Sequence, residues 1–268
     1  MARFPKHEKY VEPMVGGGSV LGAKPRSKLE VISYKDSQVV KLFTAAQQGV
    51  SCSNVVQSQD HVRELIAENS PNACRIHSKL SCSFGKRGFH PNRKADYPCR
   101  TNWPPKGWRD RLHDVRIQQG DYKDVMRRND GPDTLFYLDP PYSGTKNEYG
   151  PGLDKVKPKE VKELALAVKG QVVISFNDVP LVQELFCKNP SQFTCHEILQ
   201  PVLVTSKGAA GSRRDLVIVK KETKNEKKTL LLPRIRDRPA SFPSVPSTET
   251  PSNSILDLPN LCSCGMQR

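Results

Sequence analysis

Leu135-Phe136-Tyr137-Leu138-Asp139-Pro140-Pro141-Tyr142 is an apolar run of β-formers that reaches a carboxylate, two prolines and an aromatic ring. The prolines bring no N–H to a ladder, so the strand stops there. If this is the central strand of an open α/β sheet, Asp139 and Tyr142 fall just past its carboxyl end, the edge where ligands bind in such folds. The stiffened bend holds a carboxylate, a carbonyl and a ring in fixed relation. That set suits a flat heterocycle carrying an amine: its ring stacks on the tyrosine while the acid and a carbonyl accept from the amine. Taken alone, Asp-Pro-Pro-Tyr reads equally well as a strand-terminating turn, since Asp and Pro are turn formers.

Upstream, a polar lead over residues 1–9 gives way to Tyr10-Val11-Glu12-Pro13-Met14-Val15-Gly16-Gly17-Gly18-Ser19-Val20, a short strand entering a glycine-rich turn before a helix. Glycines there let backbone approach a ligand that a Cβ would repel. Glu12 argues against a phosphate and for a cationic or hydroxyl-rich ligand. Lys28–Tyr34 reads as a second strand and Asp36–Gln48 as a helix, with Val39, Val40, Leu42, Phe43 and Ala46 at helical spacing and Gly49 closing it. This β-α-β-α opening is that of a doubly wound sheet. A sugar-binding acid is expected at the end of the second strand; Tyr34 stands there, with Asp36 close by.

Downstream, Arg116–Tyr122 resumes the sheet and ends at Asp121, placed either to meet an adenine amino group or to cap the helix Tyr122–Arg128. After the Asp139 strand, Ser143–Pro158 is a Gly-, Asn- and Lys-rich candidate lid. Further helices are expected over Lys159–Lys169 and Pro180–Phe186. Strands are expected over Gln171–Phe176, Phe193–Leu199 and Leu216–Val219, the last two joined by the loop Lys207–Gly211. A helix at Asp60–Glu68 interrupts an otherwise mixed, polar region. After about Lys221 the sequence turns to Lys, Glu, Pro, Ser and Thr with few apolar anchors, and from Pro233 to Arg268 it reads as disordered.

The chain has 268 residues with 42 Lys+Arg against 28 Asp+Glu, a net +14 that favours a polyanionic partner. Eleven basic residues lie between Arg75 and Arg116 against three acidic ones, more than half of that excess, interleaved with Phe84, Phe89, Tyr97, Trp103 and Trp108. Cations for phosphates and planar rings for bases make this a nucleic-acid surface, or else a solvated basic insertion around a small aromatic core. A mean hydropathy of -0.57 and 36% hydrophobic residues are low for a compact globule. No apolar run is long enough to span a membrane and no apolar signal core opens the chain, so a membrane-free location inside the cell is expected. The eight cysteines, Cys52, Cys74, Cys82, Cys99, Cys187, Cys195, Cys262 and Cys264, form no paired Cys-x-x-Cys knuckles. They read as reduced and mostly structural, and no metal site is expected.

In this order, the motifs resemble the Dam-type family of adenine-N6-specific DNA methyltransferases, above all its phage and prophage members. Tyr10-Val11-Glu12-Pro13, with Gly16-Gly17-Gly18-Ser19, is similar to that family's S-adenosylmethionine motif, and Asp139-Pro140-Pro141-Tyr142 to its catalytic motif. Ala23-Lys24-Pro25, Cys82-Ser83-Phe84-Gly85, Gly120-Asp121-Tyr122 and Ile174-Ser175-Phe176-Asn177-Asp178 are supporting matches. The resemblance implies a Rossmann-like S-adenosylmethionine-dependent methyltransferase sheet, built from residues 1–50 and 117–221. A basic target-recognition region is inserted at 51–116 and a tail follows at 222–268.

It further implies that Tyr10, Glu12, Gly16, Gly18, Asp36, Asp121 and Asp139 line S-adenosylmethionine. Asp139, the Pro140 carbonyl and Tyr142 would receive an adenine flipped out of double-stranded DNA. Lys86, Arg87, His90, Arg93 and Lys146 would contact the DNA. A monomer, cytoplasmic and nucleoid-associated or inside a viral host, is the implied state, and a cognate restriction endonuclease is a further candidate partner. Three departures stand out. Nine residues precede Tyr10 where the family carries a Lys-bearing segment, Met14 replaces a phenylalanine, and Tyr34 replaces the ribose-binding acid. They imply an alternative, a catalytically impaired DNA-binding remnant of the same fold. Methylation of cytosine N4 or of RNA is a third reading, disfavoured by Asp139 where cytosine-N4 enzymes more often carry Ser.

Overall fold

The structure, a computed structural model, describes residues 4–52, 72–82, 103–142, 156–202 and 211–221. The expected helix at 60–68, the lid residues 143–155, most of the loop 207–211 and the tail 233–268 lie outside the described residues, as do Lys86, Arg87, His90, Arg93 and Lys146.

Strands β1 (Lys9–Glu12), β2 (Leu29–Tyr34), β3 (Val115–Gln119), β4 (Thr134–Leu138), β5 (Gln171–Asn177), β6 (Phe193–Val202) and β7 (Gly211–Lys220) form one sheet in the order β3-β2-β1-β4-β5-β7-β6. The first five are parallel, and β7 runs antiparallel to both β5 and β6. The described helices are α1 (Ser19–Ala23), α2 (Ser37–Gln47), α3 (Ala73–Cys82), α4 (Trp108–Leu112), α5 (Tyr122–Asn129), α6 (Pro158–Ala167) and α7 (Pro180–Val182), the last continuing as one π-helical turn to Cys187.

This is the expected doubly wound sheet, and strand alternation builds its two cores. Val11, Phe136, Leu138, Ile174 and Phe176 face α5, α6 and α7, where Val125, Met126, Val161 and Phe186 cover them. Tyr10, Ile32, Leu135, Tyr137 and Val173 face the other way, onto Leu21, Val39, Phe43 and Leu112 of α1, α2 and α4. Each fully buried large side chain contributes about 1.5–3 kcal/mol, so the near-continuous apolar strands are what a sheet covered on both faces requires. Asp36 and Asp121 cap α2 and α5, each accepting from the backbone N–H two residues on. Pro158 opens α6 with its ring preset for a first helical turn.

The structure corrects two expectations. Cys52 is joined to Cys74 and Cys187 to Cys195 as disulfides, so these four are not reduced thiols. The carboxyl-terminal part of the 51–116 region packs on α2 and the sheet. Trp108 packs on Phe43 with ring centroids 5.6 Å apart, and the Gln47 side-chain amide donates to the carbonyls of Leu112 and Val115 at 2.6 and 2.8 Å. Residues 108–116 thus contact α2 and the sheet, and both tryptophans pack, partly buried, against its core. Finally, β7 begins at Gly211, five residues before the expected Leu216, because its polar start is paired along its whole length with β6. Among the described residues no helix is long and apolar enough to cross a membrane.

Candidate active site

The strand order turns between β1 and β4: β2 and β3 follow β1 outward on one side, while β5 follows β4 on the other. Connections leave in opposite directions at such a switch point, and a crevice opens beyond the carboxyl ends of the two strands. Here β1 and β4 are hydrogen-bonded neighbours, with Tyr10 opposite Leu135 and Val11 opposite Phe136. The glycine turn after Glu12 and the Asp139-Pro140-Pro141-Tyr142 corner therefore emerge side by side at one sheet edge, although they are far apart in sequence.

The two positive-φ glycines of that turn differ. At Gly16 (φ 51°) an added Cβ would meet, among the described residues, only the Met14 carbonyl, at 3.9 Å, so the backbone leaves room that a ligand can approach. At Gly18 (φ 71°) a Cβ would lie 2.7 Å from Trp108 and 2.9 Å from Phe43, and its N–H already donates to the Val15 carbonyl. Packing of aromatic rings, as well as turn geometry, requires glycine there. Met14, where a phenylalanine was expected, is buried in the core beside Val11 and Val31.

Tyr10 is fully buried, and its hydroxyl donates to Glu12 at 2.8 Å, so it supports Glu12 from beneath. Burial, then the neighbouring Glu12 charge, holds the Tyr10 phenol well above its ordinary pKa. The Lys24 ammonium sits 4.3 Å from the Tyr10 ring centre and donates to Glu30 at 2.5 Å, and the Arg111 guanidinium grips the same carboxylate with both nitrogens of its fork. Burial by itself would raise the Glu30 pKa, but the hydrogen bonds from Arg111 and Lys24 outweigh it and hold the carboxyl below its usual range. Burial lowers the Lys24 pKa against the pull of Glu30. Lys24 is thus engaged by Glu30. Tyr34 is likewise buried in the core, and Asp36 and Asp121 remain at the edge, with Lys35 3.6 Å from the second Asp121 oxygen.

Across the switch point, Asp139 is half-buried, Pro140 is buried and Tyr142 is 4% exposed. The Tyr142 hydroxyl donates to Asp215 of β7 at 2.9 Å, and the Arg213 guanidinium lies 4.9 Å from its ring centre. An open cleft of about 600 Å³ continues along this edge, lined among others by Asn177, Asp178, Gln183, Arg213 and Arg214. Sequence reasoning missed Arg213 and Asp215. The available signal was a carboxylate directly ahead of the apolar run Leu216–Val219, on a strand whose antiparallel course returns its start to the ligand edge.

Fold and site define an α/β protein with a Rossmann-like sheet whose Gly16 turn and Asp139 corner leave from neighbouring strands. Residues 90–186, which include the Asp139-Pro140-Pro141-Tyr142 corner, match the family model of the D12 class N6 adenine-specific DNA methyltransferases. No curated protein matches the chain. Among solved structures, an rRNA methylase from Streptococcus thermophilus is similar at 11% identity and a TM-score of 0.37, over 81% of this chain and 89% of that one. Precorrin 8W decarboxylase from Methanobacterium thermoautotrophicum is similar at 9% identity and a TM-score of 0.36, over 81% of this chain and 83% of that one.

Proposed function

We propose that the chain transfers a methyl group from S-adenosylmethionine to N6 of an adenine flipped out of duplex DNA. One observation carries the reading: the Asp-Pro-Pro-Tyr corner, inside the span that matches the adenine-N6 family, leaves the sheet beside the open backbone at Gly16. S-Adenosylmethionine, when bound, supplies a methyl group on a positively charged sulfur. The backbone at Gly16 and the carboxylate of Glu12 would hold its methionine and ribose end, and Asp121 and Asp36 would face its nucleoside.

The target is held by Asp139 and Pro140. The carboxylate and the carbonyl would each accept a hydrogen bond from the adenine amine, favouring a more tetrahedral nitrogen with a free lone pair. The one proton that nitrogen sheds as it gains the methyl would pass to the Asp139 carboxylate or to water. Tyr142 offers its ring to the base, and Asp139 brings negative charge to a site where the sulfur loses its positive charge. Lys86, Arg87, His90, Arg93 and Lys146 hold the duplex through its phosphates.

Incubation with tritiated S-adenosylmethionine and unmethylated duplex DNA, followed by digestion to nucleosides, tests this. Label is expected in N6-methyldeoxyadenosine. Label in cytosine would move the target to N4, and DNA binding without any label would identify the impaired remnant.

A further inference from the structure

The site edge carries a buried carboxylate that the reaction above does not use. Asp215 is 1% exposed and sits on β7 opposite Asn177 of β5. Its Oδ2 accepts from the Tyr142 hydroxyl at 2.9 Å, and its two oxygens accept from Arg213 Nε and Nη2 at 2.8 and 2.9 Å. The same guanidinium lies 4.9 Å from the centre of the Tyr142 ring. The three side chains close a loop: the acid holds the far end of the ring and also the cation that lies against it.

A carboxylate this deep is costly unless it is paired and hydrogen-bonded, and a bidentate arginine plus a phenol supply three charge-assisted hydrogen bonds. An aromatic ring with one polar tip has two freedoms, a swing of the tip and a tilt of the plane. The phenol bond removes the first and the guanidinium contact the second. Arg213 also lines the open cleft, so the clamp reaches from the buried acid to the solvent side of the crevice.

We propose, resting on the methyl-transfer reading, that Asp215 and Arg213 are positioning residues that fix the plane of Tyr142 on which the target adenine stacks. A ring free to tilt lets the base drift from the two acceptors at Asp139 and Pro140, and a misplacement of about 1 Å costs on the order of 100-fold in rate. Asp215 acts through the tyrosine hydroxyl, so removing either partner removes the same constraint.

Steady-state kinetics on unmethylated genomic duplex DNA test this with Tyr142→Phe, Asp215→Asn, the double variant and Arg213→Lys, each in the full chain. Tyr142→Phe keeps the ring and loses only the hydroxyl. Each single change is expected to lower kcat by about 10- to 100-fold, with KM for S-adenosylmethionine within about two-fold of wild type. Because the two residues act as a unit, the double variant is expected to be no slower than Asp215→Asn alone. Arg213→Lys keeps the charge but not the planar fork, and is expected not to restore the rate. Wild-type kcat in Tyr142→Phe and Asp215→Asn, or losses that multiply in the double variant, would overturn the proposal. If Asp215→Asn does not fold, wild-type kcat in both Tyr142→Phe and Arg213→Lys overturns it equally. A wild-type chain that transfers no methyl at all removes the methyl-transfer reading and this inference with it, whereas an active wild type with unaffected variants removes this inference alone.

Discussion

Replacing Glu30 by glutamine keeps the shape of the side chain and removes the one anion that Lys24 and Arg111 share. The Glu30 and Lys24 side chains are 4% and 2% exposed, and Arg111 is 13% exposed. Leaving a buried charge without its partner costs about 3–5 kcal/mol. Arg111 can turn partly to water and keeps its bond to the Leu21 carbonyl, which places the expected loss near the lower end, about 3 kcal/mol. For a domain of this size that is a fall in Tm of about 6–12 °C. Thermal unfolding followed by circular dichroism at neutral pH reads it, and 1 M salt should restore little, since buried pairs are poorly screened.

The pH dependence has a definite sign. The folded state holds the Glu30 carboxyl below its usual range, so its contribution is present above the ordinary carboxylate pKa and is lost as pH falls through the depressed folded value. Glu30→Gln should lack that part of the acid loss. A Tm within about 1 °C of wild type, or full recovery in salt, would refute the view that this triad ties α4 to the sheet.

Other expectations follow from single sites. His77 is buried against Trp103 and burial lowers its pKa from 6.5 to about 4, so the unfolded chain takes up the proton first as pH falls. Stability should therefore drop by about 3 kcal/mol between those two values, and titration of unfolding in urea should show the slope flattened in His77→Phe. Gly18→Val puts a branched side chain at positive φ and against Trp108, and a loss of about 3 kcal/mol or more is expected in the same assay. Asp139→Ala should abolish methyl transfer to DNA while calorimetry gives S-adenosylmethionine affinity within about three-fold of wild type.

The central strands were legible because they are buried on both faces. Leu135–Leu138 and Gln171–Phe176 read as apolar runs with hard stops, and the acid-capped helices after Asp36 and Asp121 announce themselves through their caps. The edge of the site was legible for the same reason, since a strand that ends in Asp-Pro-Pro fixes where the chain leaves the sheet. Trp108 and Arg111 were not. A basic residue beside a tryptophan looks the same in sequence whether it meets a phosphate or, as here, the buried Glu30 that lies 81 positions earlier. Arg213 and Asp215 escaped because a polar strand start carries no periodicity, and only the antiparallel pairing of β7 with β5 returns them to the ligand edge. The cysteine pairings likewise depend on which segments fold together, which spacing alone does not reveal.

The claim on which all else depends is that the Gly16 turn and the Asp139 corner border one ligand crevice. A crystal structure of the chain with S-adenosylhomocysteine measures that directly. The account predicts the ligand beyond the carboxyl ends of β1 and β4, with its sulfur facing Asp139. Density at another edge of the sheet, or against Asp139 without contact to the Gly16 backbone, would contradict it.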